Sequence, residues 1–121
     1  AVVYARDPDN IRNLSAALQN HRPYLRGAPP GLPFRWEERT IQAGLNFTLT
    51  TTAGDLDLLG EVTGGGSYEN LLPFSEELTT RNVRCRFVTL ERLIQLKRAV
   101  GRPKDLEVIA ELQALLEERS R

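Results

Sequence analysis

The sequence predicts an α+β domain in which a mixed β-sheet is flanked by helices. Three observations carry that prediction. Helical and strand-like segments interleave along the chain without the regular alternation of a βαβ series. Two alternating runs, N-F-T-L-T-T-T from Asn46 and G-D-L-D-L-L-G-E from Gly54, are joined closely enough to pair as a hairpin. Two apolar stripes of helical spacing, one through Leu90, Leu93 and Ile94 and one through Leu106, Ile109, Leu112 and Leu116, close the chain.

Taken in order, Ala1 to Ala5 (A-V-V-Y-A) is a short run of strand formers. Asp7 and Pro8 then suit the N-cap and first turn of a helix whose apolar face is Ile11, Leu14, Ala17 and Leu18. The helix is expected to stop before Arg22-Pro23, because a residue preceding proline avoids the α region. Pro23, Pro29, Pro30 and Pro33 with Gly27 and Gly31 predict a long irregular connection packed over the surface. Trp36 to Ala43 fits either helical turns or a strand.

In the hairpin, Phe47, Leu49 and Thr51 share one face. Asp55, Asp57, Leu59 and Glu61 share one face of the second strand, and Leu56, Leu58 and Val62 the other. Gly64-Gly65-Gly66 marks a loop, and Ser67 caps a short helix through Leu72. Asn82 to Val88 is a strand, with Val83, Cys85 and Phe87 expected to face the core. Thr89 caps the next helix, Gly101 breaks it, and Pro103 opens the last one with Asp105 and Glu107 in its first turn.

Composition narrows the function. With 121 residues, of which 40% are hydrophobic, a single domain spanning 1–121 is expected. Sixteen basic residues balance sixteen acidic ones, so no global field draws in nucleic acid or an anionic membrane. Single Cys85 and His21 residues argue against a disulfide framework or a cysteine- or histidine-based zinc site. No run approaches membrane-span length, so a cytoplasmic protein is the default expectation.

Two places could carry chemistry. Asp55 and Asp57 project from one strand face, as oxygen ligands for a hard cation would, and Asp57 is the more constrained. The plain alternative is a solvated strand face. Lys97 falls within the Leu90, Leu93, Ile94 stripe, where an ammonium needs a partner or water. With Arg102 and Lys104 in G-R-P-K-D, at a helix N-terminus, it makes a phosphate contact physically sensible. Here the plain alternatives are a snorkelling lysine and an ordinary interhelical turn. The glycine triplet lacks the lysine of a P-loop.

The order Y-A-R-D-P-D-N, G-L-P-F-R-W, G-L-N-F-T-L-T-T, D-L-D-L-L-G-E and L-I-Q-L-K-R-A-V-G-R-P-K-D resembles bacterial nucleotidyltransferase-fold proteins, the group of minimal nucleotidyltransferases and abortive-infection toxins. That resemblance implies a nucleotidyltransferase-like sheet, a nucleoside triphosphate substrate and Mg²⁺. It implies that Asp57, with Asp55 beside it, serves the metal as the third family carboxylate. Lys97, Arg102 and Lys104 would bind the nucleotide, Lys97 with a catalytic part, and Asp105 would be structural. The family's first two aspartates form a D-x-D on an early strand. None precedes Val2, and Ala1 stands about where the second is expected. The expectation is therefore an N-terminally incomplete or decayed member, inactive in this form. Its alternatives are activity supplied by a missing segment or partner, and a protein-binding or self-associating module. The strand from Ala1 is expected to be interior or near-interior and, if its upstream neighbour is missing, to leave an exposed edge that favours homo-oligomers. RNA, protein and small molecules all stay open as acceptors.

Overall fold

A computed structural model describes residues 1–119. The chain forms two compact units, Ala1–Glu61 and Val62–Arg121. It is α+β, with a mixed sheet flanked by helices.

The first unit contains β1 (Val2–Val3), α1 (Pro8–Leu18), β2 (Tyr24–Leu25), α2 (Glu38–Ala43), β3 (Asn46–Thr51) and β4 (Gly54–Leu59). The sheet order is β1-β4-β3-β2, with β1 parallel to β4 and the other pairs antiparallel. Asp7 caps α1 as expected, its carboxylate accepting the Asn10 backbone N–H at 3.0 Å. The helix gives way to a single 3₁₀ turn, and Arg22, at φ 48°, ends it ahead of Pro23. One sheet face packs against both helices. Tyr4, Ile11, Ile41, Phe47, Leu49 and Leu58 form the core, with Leu14, Leu18, Leu25 and Trp36 around it. Trp36 spans two layers, with its ring edge-on to Phe47 and its indole N–H donating to Ser15 O at 3.1 Å. Arg6 gives its guanidinium to the Ile41 and Gln42 carbonyls, satisfying the end of α2.

One expectation changes here. The proline-rich connection contains β2, whose residues Tyr24 and Leu25 pair with Thr50 and Leu49. Flanking prolines masked a strand of only two residues. β1 lies at one edge of the sheet, bonded to β4 alone among the described residues.

The second unit contains α3 (Tyr68–Leu71), β5 (Ser75–Thr80), β6 (Val83–Val88), α4 (Leu90–Val100) and α5 (Pro103–Arg119). Asn70 anchors the start of α3, its side-chain oxygen accepting the Ser67 N–H and hydroxyl at 2.9 Å each. The glycine triplet is a packing device: a Cβ on Gly64 would meet Ala99 Cβ at 2.5 Å, and one on Gly65 would meet Leu96 Cδ2 at 2.6 Å. The loop thus lies directly on α4. Thr89 and Gly101 bound α4, the hydroxyl accepting the Arg92 N–H and Gly101 adopting φ 69°.

β5, from S-E-E-L-T-T, escapes the sequence reading because acidic and hydroxyl residues outnumber its single leucine. Among the described residues it pairs only with β6, and this corrects the expected orientation of β6: Val83, Cys85 and Phe87 are exposed rather than in the core. A two-stranded ribbon has no second layer of its own to bury them. The hairpin turns at Arg81 and Asn82, both at positive φ (51° and 64°). Type I′ turns require this conformation, which disfavours arginine. Arg81→Asn combined with Asn82→Gly should stabilise the hairpin by about 1 kcal/mol. Slower amide exchange at Thr80 and Val83 would register it, and unchanged exchange would contradict it.

Candidate functional site

The sheet face opposite the helices carries polar side chains. Register sets Thr48 beside Asp57 and Thr50 beside Asp55, and period-two alternation sends all four away from the core. Arg26, the residue after β2, reaches across β3 to both carboxylates. Its Nε lies 3.5 Å from Asp55 Oδ2, and its Nη2 lies 2.8 Å from Asp57 Oδ1. Nη2 also donates to Leu49 O at 2.9 Å. The Arg26 backbone N–H bonds Thr48 O, so only the side chain is free to swing.

The Asp57 contact is ionic without being a directed hydrogen bond. Although Nη2 is close, Oδ1 is sealed from solvent and accepts no aligned N–H. The rest of the side chain is open, at 44% exposure. One carboxylate oxygen is therefore buried with a charge beside it and no hydrogen bond, an under-satisfied state.

The basic motif is organised differently. Asp105 is the one buried charged residue among those described, at 1% exposure. Lys97 Nζ donates to its Oδ1 at 3.2 Å, and Arg102 Nε to its Oδ2 at 2.8 Å. Arg102's hydrogen bond is the main reason the Asp105 carboxyl titrates below the usual carboxylate range. Burial opposes that shift, and Lys97 reinforces it. Lys97 thus meets the need for a partner that its stripe position implies, and the partner comes from α5. Asp105, Ile109, Leu112 and Leu116 form the inward stripe of α5, whereas Leu106, expected in that stripe, is 53% exposed. A carboxylate takes the core position because two cations neutralise it there.

The structure therefore groups the sequence-derived candidates into two sets. Asp55 and Asp57 share the open sheet face, while Lys97, Arg102 and Asp105 share one charge cluster. Lys104 is exposed in the first turn of α5. Sequence reasoning missed Arg26. Its signal was the Y-L-R alternation after Pro23, which puts Arg26 on the same side as Tyr24.

Among the described residues, no group of three or more histidine, cysteine, aspartate or glutamate side chains is arranged to hold a metal ion. The Asp55 and Asp57 carboxylates are instead neutralised by the Arg26 guanidinium. No helix of the described residues is long and apolar enough to cross a membrane. Comparison of the chain with family models, curated proteins and solved structures finds no match.

Proposed function

We propose that the Ala1–Glu61 unit is a nucleotidyltransferase-type sheet that takes up a Mg²⁺–nucleoside triphosphate, with Asp57 as the principal metal carboxylate and Asp55 beside it. The supporting observation is the sheet register. β1 runs parallel to β4 with Val2 opposite Leu58, and continuing that register by one residue sets Ala1 next to Asp57. The position that the resemblance gives to a second metal aspartate is thereby adjacent to the third, on the same face. When bound, Mg²⁺ would screen the phosphate charge. Asp57 and Asp55 would hold it, and the core under β3 and β4 would fix their spacing.

With alanine at that adjacent position, these 121 residues are expected to bind without transferring nucleotide. Lys97 and Arg102 are committed to Asp105 within the second unit, so neither is assigned to the nucleotide. Calorimetric titration with Mg²⁺ and a non-hydrolysable triphosphate analogue should give saturable binding, weakened about 10- to 100-fold by Asp57→Asn. Equal binding by the variant, or genuine nucleotide transfer by the purified chain, would overturn the reading.

A second reading, a self-associating module, is favoured by the edge position of β1 and the 48% exposure of Val2. Sedimentation across a concentration series tests it, and a monomer throughout would remove it.

A further inference from the structure

The β5–β6 ribbon has one apolar and one polar face. Its register sets Leu78 beside Cys85, Glu76 beside Phe87 and Thr80 beside Val83, and period-two alternation sends these six side chains to one side. Leu78, Val83 and Phe87 are 47%, 56% and 49% exposed, and Cys85 is exposed with them. On the other side the Glu77 carboxylate lies 3.7 Å from both Arg84 and Arg86. The polar face thus finds its ion pairs within the chain. The apolar face is left in water, and a contiguous exposed apolar patch marks an interaction surface.

We infer that this face docks on the same face of a second copy of the chain, the two ribbons stacked with their strands running in opposite directions. The order of the side chains selects both the partner and the orientation. A two-fold axis across the strands, through the Leu78–Cys85 row, lays Phe87 over Val83 of the second copy and Leu78 over its own counterpart. Glu76 then lies over Thr80 of the second copy, whose hydroxyl donates to the carboxylate, at the end where Arg81 occupies the hairpin turn. Apolar groups meet apolar groups, and the one carboxylate on the face meets a donor and a cation. A two-fold axis along the strands would instead set each Glu76 carboxylate on a Phe87 ring and bring the two Arg81 turns together. Edge-to-edge pairing of β6 about Cys85 would set Arg84 opposite Arg86 of the second copy, a like-charge pair, and would leave the apolar face open. Two strands of six residues present a face of about 20 Å by 10 Å, well below the roughly 800 Å² that each partner gives to a standard interface. The dimer is accordingly weak and driven by concentration. It belongs to the second unit and rests on neither the nucleotide reading nor the edge of β1.

The test uses the full chain and its single cysteine. Sedimentation velocity from micromolar to millimolar protein should show a reversible monomer–dimer equilibrium. Phe87→Ser should weaken it at least about 10-fold, as the loss of a central aromatic contact does. Leu78→Ser should act in the same direction, whereas Thr79→Ala, on the polar face, should leave it unchanged. Face-to-face ribbons stand about 10 Å apart, so a short bismaleimide should join Cys85 of the two copies within the dimer. A direct disulfide needs Cα atoms within about 7 Å and should form poorly. A monomer at millimolar concentration would overturn the proposal and give the face to an unlike partner. Association unchanged by both serine variants but lost in Val2→Lys would also overturn it, tracing the contact to β1. Efficient disulfide formation, or a dimer that the bismaleimide fails to join, would overturn the stacked arrangement. Circular dichroism of each variant separates these outcomes from misfolding.

Discussion

Asp105→Ala is expected to separate α5 from α4 and to lower the melting temperature of the Val62–Arg121 unit by several degrees. The substitution leaves Lys97 and Arg102 facing each other's charge without the carboxylate between them. Removing one member of a buried ionic group is far costlier than replacing the whole group by apolar residues. Lys97→Met should therefore be milder, because Arg102 still satisfies Asp105 at 2.8 Å and the stem packing is kept. The same cluster gives an acid dependence. The Asp105 carboxyl titrates lower in the folded protein than its ordinary 3.8, with Arg102's hydrogen bond as the main cause. The unfolded chain accordingly binds the proton first as pH falls. The stabilisation is complete above that ordinary value and fades as pH drops through the lower folded value. Thermal melts from pH 6 down to pH 2, followed at α4 and α5, should show this loss in wild type and not in Asp105→Ala. Parallel acid profiles for the two proteins would refute the assignment.

Leu49→Ala should destabilise the Ala1–Glu61 unit by about 2–5 kcal/mol, a large share of a small unit's stability. Leu49 is fully buried at 0% exposure, between Phe47 and the face shared with Ile41 and Leu58. Its loss leaves a cavity under β3, beside the strand that carries Asp57. Thr48→Ala, on the exposed side of the same strand, is the control and should change stability by less than about 0.5 kcal/mol. Urea denaturation followed by Trp36 fluorescence reads both, since the Trp36 ring packs edge-on against Phe47. Comparable midpoints for the two variants would contradict the placement of the core.

Sequence by itself determined the local elements whose signals are chemical and short-range. Asp7-Pro8 started a helix, Thr89 and Gly101 bounded another, and alternation set Phe47 and Leu49 inward and Asp55 and Asp57 outward. Caps and period-two patterns depend only on neighbours a few residues away, so one chain is enough to read them. Tertiary structure alone decided which distant groups meet. Arg26 reaches the carboxylates because β2 pairs with β3, a contact hidden within a proline-rich stretch. Asp105, rather than Leu106, is buried because Lys97 and Arg102 converge on it. Phe87 is exposed because, among the described residues, β6 has a single partner strand in a two-stranded ribbon. In each case the deciding energy is burial or charge pairing between residues separated by a turn, a strand or a helix. Periodicity tells which face of an element is apolar, and the packing of the whole unit fixes what that face meets.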